Sequence, residues 1–303
     1  MDLRQIEYIL AIAEEKNITK AAEKLYITQS ALNQFLLKLE HELHTPLFHR
    51  LHGELAPTEA GIIYIQYGEK IMALKKEAYS RINDLTKCVS GQIRIGLTVE
   101  RSGDLIIKVL PQFKQKYPTV VIDPVESNVI SLVPLITHQS LDIAILTIAE
   151  RLWKGLEYEH IINEELILAA PLHHPLTQQY KEKPVIHLED FQDIPFVLMN
   201  KSSTQRPLID KIFAAHKIIP HIFIETATNA TRLNLVRNGF AFSIIPEAHA
   251  IKDDKIKYFY IADHPTLEIV LAYKKGFYLN KACKYMIHLI KEYWNTYPYY
   301  KVQ

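Results

Sequence analysis

The hydrophobic period of this 303-residue chain changes once, at Ser90-Gly91, and the change divides what can fold on either side. Before it, apolar residues recur at helical spacing. After it, short apolar runs alternate with helical stretches. Ile93 to Leu97, Val120 to Ile122, Asp142 to Leu146, Phe196 to Leu198, His221 to Glu225 and Phe240 to Ile245 read as strands. Helices fall between them, among them one from about Gly103 to Tyr117 and one from Val129. A strand–helix alternation implies mostly parallel sheets. About 215 residues of it suffice for two α/β lobes.

Ahead of Ser90 the pattern is finer. Leu3, Ile6, Leu10 and Ala13 form one helical stripe. Thr19 has the chemistry of an N-cap for a short helix over 20–25, with Ala21, Ala22 and Leu25 turned inward. Thr28 caps a third helix running to Leu43. On a helical wheel Ala31, Leu32, Phe35, Leu36, Leu39 and Leu43 share a core side, and Gln29, Ser30, Asn33 and Gln34 share a polar side, with Leu37 among the polar residues. That is the division expected of a recognition helix, whose first residues meet base edges. Pro46 to Gly61, with two prolines and His52-Gly53-Glu54, fits a small β-wing. From Glu59 to Thr86, Tyr64, Ile71, Ala78 and Leu85 recur every seventh residue, with Tyr67 and Leu74 between. This is a coiled-coil seam interrupted at Arg81. It calls for a second copy; packing on the chain's own body is the alternative.

Composition excludes several classes. No segment approaches the roughly 20 apolar residues of a membrane span. The start is acidic and amphipathic rather than a secretion signal, so a cytoplasmic protein is expected. Cys88 and Cys283 are too few and too distant for a disulfide framework or zinc quartet; a redox switch between them is a minor alternative. No phosphate loop, G-x-S-x-G elbow or H-E-x-x-H motif is present, so no enzyme and no cofactor is expected. His41, His44, His49 and His52 are spaced as two ligand pairs, but solvated histidines are the better reading and no metal is expected. Net charge is +1, yet Met1 to Gly61 holds six basic and nine acidic residues. DNA binding must survive that excess, because phosphate neutralisation supplies most non-specific affinity.

Thr19 to Leu25, Thr28 to Asn33, Leu39-Glu40, Pro46 to Arg50 and Thr58 to Gly61 resemble the helix-turn-helix of LysR-type transcription regulators. The resemblance continues through Gly91 to Gly96, Phe113 to Pro118, Leu141 to Ile145, Asn238 to Phe240 and Ile245 to Glu247, spanning essentially the whole chain in the family's order. It implies an N-terminal all-α winged helix-turn-helix over 1–58, a dimerising linker helix over 59–89, and an α/β effector domain over 90–303. The last would be two-lobed and Rossmann-like, as in periplasmic binding proteins. One lobe would comprise 90–162 and 267–303, the other 163–266. Homodimers and tetramers are the family's usual assemblies. The resemblance assigns DNA contact to Thr28, Gln29, Ser30, Asn33, Gln34 and Arg50, with Lys20, Lys38 and His52 as phosphate contacts. The chain departs from the family at Ser30, where proline is usual, at Gln34 and Leu37, where basic residues are, and in a wing with Gly53-Glu54 for an arginine. Weaker non-specific binding and more reliance on bivalent docking follow.

Two α/β lobes make a cleft at the carboxyl ends of strands, where helix amino termini attract anions. Hydroxyl and amide residues cluster at those hand-over points: Thr98, Ser102, Asn128, Thr147, Asn200, Ser202, Ser203 and Thr226. With Arg101 or Arg206 as counter-charge, they would hold a small organic anion, or else serve only as N-caps. The partners expected are promoter DNA, an anionic co-inducer, a second copy of the chain, and RNA polymerase as a further candidate. No membrane is expected.

Overall fold

A computed structural model describes residues 2–51, 54–86 and 91–297. The chain divides into two units, Met1–Cys88 and Val89–Gln303.

The first unit is built from α1 (Leu3–Glu15), α2 (Ile18–Lys24), α3 (Gln29–Leu43), a hairpin of β1 (Phe48–Leu51) and β2 (Glu54–Pro57), and α4 (Glu59–Thr86). Asp2 and Gln5 form a reciprocal capping box on α1. The stripe buried on α1 is Ile6, Ile9, Ala11 and Ile12, rotated from the sequence expectation; Leu3 lies exposed. The α2 cap is Asn17 rather than Thr19, because the Asn17 Oδ1 accepts from the backbone N–H groups of Thr19 (2.9 Å) and Lys20 (3.1 Å). Thr28 caps α3 as expected, accepting from Ala31 N–H at 3.2 Å. Leu32, Leu36 and Leu39 enter the core with Ala21, Ala22, Leu47, Phe48 and the α1 stripe, whereas Ala31 and Leu43 are exposed. Each fully buried Leu or Ile contributes about 1.5–3 kcal/mol.

One close approach fixes the start of α4. Thr58 Oγ1 accepts from Gly61 N–H (3.0 Å) and donates to the Pro46 carbonyl (2.7 Å). A Cβ at Gly61 would stand 2.0 Å from the Leu47 carbonyl oxygen, so only glycine fits. The heptad seam of α4 splits between two faces. Tyr64 and Ile71 pack on the unit's own core, and Gly68 lets α1 approach, a Cβ there meeting Ile6 at 2.9 Å. Tyr67, Leu74 and Leu85 are exposed with Ile63 and Ile82. Part of the seam thus closes the chain's own core, and the rest faces outward.

The second unit holds β3 (Gly91–Leu97), α5 (Val99–Lys116), β4 (Val120–Glu126), α6 (Val129–Thr137), β5 (Ile143–Ile148), β6 (Leu156–Pro171), α7 (Pro175–Gln179), β7 (Val185–Ile186), β8 (Pro195–Met199), α8 (Arg206–Ala215), β9 (His221–Thr226), α9 (Asn229–Arg237), β10 (Ser243–Pro246), β11 (Ile256–Ile261), β12 (Thr266–Lys274) and α10 (Lys281–Asn295). Helix α5 starts four residues before the expected Gly103. Strand β6 is the spine. Its first part pairs with β12, which continues to β5, β3 and β4; its last part lies between β10 and β11. β8 and β9 form a parallel pair, and Phe196 of β8 bridges Phe242, the residue just before β10. One core gathers Ile93, Ile95, Phe113, Ile143, Leu271, Ile290 and Trp294 under α5 and α10. Another gathers Leu166, Leu168, Phe191, Phe196, Phe213 and Phe259 under α8. These cores make two lobes, joined by β6 and by the return into β12. Cys283 is buried in α10; Cys88, the other half of the redox alternative, lies outside the described residues. Among the described residues no helix is long and apolar enough to cross a membrane.

Candidate DNA-recognition face and effector cleft

The amino end of α3 presents Thr28, Gln29, Ser30 and Gln34 to solvent, with Asn33 half-buried beside them. Thr28 Oγ1 is committed to its cap and lies 3.2 Å from Ser30 Oγ. Gln29, Asn33 and Gln34 keep amides that can read base edges. Lys20 and Lys38 are exposed. Arg50 lies in β1, but its side chain and the whole of His52 fall outside the described residues. Tyr26, unflagged by sequence periodicity, is 96 % exposed in the turn before α3, at a φ of 55°.

Four of the nine carboxylates are engaged away from the start of α3. Glu14 and Glu15 pair with Lys24 at 2.8 and 3.1 Å. Glu7 pairs with Lys75 at 3.1 Å. Glu40 Oε1 accepts from the backbone N–H groups of Leu47 (2.6 Å) and Phe48 (3.1 Å), fastening the wing's entry to α3. The polar face at the start of α3 is therefore built without these carboxylates. His41, His44 and His49 are exposed, and among the described residues no group of three or more metal-ligating side chains stands together.

In the second unit, the strand-to-helix turns converge on a cleft of about 520 Å³, a size that suits a small metabolite. Thr98, Arg101, Asn128 and Thr147 line it from one lobe, and Asn200, Ser202 and Ser203 from the other. Three sequence-predicted residues, Ser102, Thr226 and Arg206, do not line it. Ser102 turns its hydroxyl back to the Val99 carbonyl (3.2 Å), and Thr226 ends β9, where its carbonyl accepts from Asn200 N–H at 3.0 Å. Asn128 serves as a cap, accepting from Ser131 N–H at 2.9 Å. Thr98 stands at the cap position of α5 without making a side-chain cap bond.

Both arginines expected as counter-charge are already ion-paired within the chain. Arg101 Nη2 pairs with Glu164, their side chains 7 % and 0 % exposed, and its Nε donates to Thr147 Oγ1 at 3.1 Å. Arg206 pairs with Asp210 (2.7 Å) and Glu225 (2.6 Å). Sequence reasoning missed Glu164, which lies mid-strand with no local signal, and three further groups. Glu100 carries its carboxylate across to α9. Arg232, fully buried, has its pKa pushed down to about 9 by burial, against the pull of Glu100. His249 lines the cleft, and burial, with Arg101 and Arg232 nearby, pushes it down to about 3.

Residues 3–62 match the model of the bacterial regulatory helix-turn-helix protein, lysR family, and residues 88–295 match the LysR substrate binding domain. The chain belongs to the LysR family. This LysR-type regulator is 31% identical over 236 residues to a probable RuBisCO transcriptional regulator of Thalassiosira pseudonana, covering 77% of this chain and 73% of that one. Its fold is that of full-length CbnR, solved complexed with target DNA, at a TM-score of 0.62 and 22% identity over 96% of this chain and 99% of that one. The effector-binding domain of QuiR, solved in complex with shikimate, matches 68% of this chain and 98% of that one at a TM-score of 0.58 and 22% identity. The LysR-type regulator thus pairs a DNA-binding helix-turn-helix with an effector-binding domain.

Proposed function

We propose that this regulator is a cytoplasmic, non-enzymatic, sequence-specific DNA-binding protein whose hold on a promoter is set by a small organic anion in the cleft. The observation that carries the reading is the cleft itself. Hydroxyl and amide side chains line it beside Glu100, Glu126, Arg101, His249 and a few apolar residues, and the helices α5 and α6 begin on it at Val99 and Val129. Helix amino termini and hydroxyls are the chemistry that holds carboxylates. The shikimate complex of QuiR, a carboxylate in a like-folded domain, supports it. DNA contact falls to Gln29, Asn33 and Gln34, supported by the DNA complex of CbnR. The exposed stripe Ile63, Tyr67, Leu74 and Leu85 on α4 supports a homodimer or homotetramer, with two recognition helices in register. RNA polymerase is the remaining partner of this reading.

The test joins gel shift to ligand screening. The chain is expected to shift the DNA upstream of its own gene with a strong salt slope. A metabolite set titrated by thermal shift is expected to yield carboxylates as hits, and those hits to change the footprint. A salt-independent shift, or a screen without an anionic hit, overturns the reading.

A further inference from the structure

We propose that Asn229, backed by the buried Arg232, forms a carboxylate receptor beside the cleft, and that Glu100, which lines the cleft, is its built-in ligand, which an effector's carboxylate must displace. This rests on the anionic-effector reading above and says where the anion goes. Glu100, in the first turn of α5 on one lobe, reaches α9 on the other. Its Oε1 accepts from Asn229 N–H and its Oε2 from Asn229 Nδ2, both at 3.1 Å. A carboxylate taking one backbone and one side-chain N–H at the first residue of a helix is held as a bound anion would be.

Behind Asn229 stands the second, independent observation. Arg232 is 0 % exposed, and its guanidinium meets only neutral acceptors: the Ile244 carbonyl at 2.7 Å, Gln205 Oε1 at 3.3 Å, and Asn229 Oδ1. Its Nε has no hydrogen-bond partner, and among the described residues no carboxylate forms an ion pair with it. Burying a cation without a counter-ion is costly. A structure that does so aims the charge at something. Here Arg232 donates to the Asn229 Oδ1 and so polarises that amide, and the carboxylate that meets its Nδ2 is Glu100. Arg101, which lines the cleft, is already paired with Glu164. Arg232, buried behind Asn229, is therefore the cation without a carboxylate of its own, and Glu100 occupies the amide in front of it. The same bond ties one lobe to the other, alongside the Thr204 hydroxyl that donates to the Thr147 carbonyl at 2.7 Å. Displacing Glu100 would release a tie between lobes, so occupancy and lobe geometry are coupled through one side chain.

The probe is acetate, the smallest carboxylate, titrated into the full-length chain at constant pH and ionic strength against chloride, with thermal unfolding of the effector unit as the signal. Removing the side chain in Glu100→Ala should lower the unfolding temperature, and acetate should restore it saturably. A plug that fills its site nine-tenths of the time weakens an outside ligand about tenfold, so acetate should act on wild type at concentrations about tenfold higher. Glu100→Gln keeps an acceptor but not the charge and should bind acetate with intermediate affinity; it carries the test if Glu100→Ala does not fold. Equal acetate responses in wild type and both variants, or variants blind to acetate, overturn the proposal. A metabolite screen without an anionic hit would instead sink the effector reading, and the acetate titration would still report on the receptor.

Discussion

The proposed recognition face of α3 and the proposed effector cleft solve opposite problems with polar residues. The first keeps Gln29, Ser30 and Gln34 in water, uncharged and exposed, and ties Glu14, Glu15 and Glu40 into ion pairs and backbone bonds. The second takes charges out of water and must answer each one: Arg101 with Glu164, Asn229 with Glu100, Arg232 with carbonyls. An exposed face can therefore change what it reads without changing whether the protein folds. A buried network cannot separate the two, because each polar group in it is part of the packing.

The largest effect expected from that difference lies at Glu164. Glu164→Leu leaves Arg101 buried and unpaired, at a cost of about 3–5 kcal/mol, while Arg101→Met with Glu164→Leu should recover most of it. Urea unfolding of the effector unit measures both. A single variant as stable as wild type would break the comparison.

Next comes Gly61, where steric rather than electrostatic fit decides. Gly61→Ala drives a methyl into the Leu47 carbonyl and should cost the first unit about 3 kcal/mol or more. Gly103→Ala, in α5 with nothing within 4 Å of the added carbon, should stabilise the second unit by about 1 kcal/mol. Opposite signs in the two calorimetric transitions are the expected result; a silent Gly61→Ala would remove the glycine argument.

How much of this was legible in the sequence follows the same divide. Helix α3, its Thr28 cap and its polar face were readable because amphipathic period and cap chemistry are local. So were β3, β5 and β8, whose apolar runs announce buried strands. The cleft was legible only as a set of turns: Thr98, Thr147 and Ser202 stand there because hydroxyls concentrate where strands give way to helices. What the chain places in contact across more than 60 residues was not legible. Glu164 in β6 meets Arg101 across 63 residues, and Asn229 meets Glu100 across 129. No spacing encodes such pairs. Arg101 looked like a free counter-charge for the same reason. The seam of α4 misled differently: a heptad records which residues want burial but not against what, and Tyr64 and Ile71 found their own domain.

A middle-sized effect tests the exposed side. Gln29→Ala and Asn33→Ala should each cost about 1–3 kcal/mol in specific binding and abolish the footprint, with unfolding temperature unchanged. Lys20→Ala should weaken all duplexes alike and reduce the salt slope by about one. If Gln29→Ala unfolds the first unit, α3 is not the independent reading face described above.

The smallest effect sharpens the contrast inside the second unit, where two histidines are set with opposite sign. His216, beside Glu189 (2.7 Å) and Asp263 (2.9 Å), has its pKa raised above 6.5, chiefly by the hydrogen bond to Glu189. Its protonated form favours folding, so its contribution is whole below pH 6.5 and is lost as pH rises through the folded value. His249 is pushed down to about 3 by burial and by Arg101 and Arg232. There the unfolded chain takes up a proton that the folded chain refuses, so its contribution is whole above pH 6.5 and drains away as pH falls towards 3. Glu189, lowered by the same His216 bond, adds stability that persists down to its own acid range. Thermal unfolding from pH 5 to pH 8 separates them. His249→Gln should flatten the acid limb and leave the alkaline one, and His216→Gln should do the reverse. Variant curves parallel to wild type would mean that neither histidine's surroundings are as drawn, and the buried charges around Arg101 and Arg232 would lose their nearest independent witness.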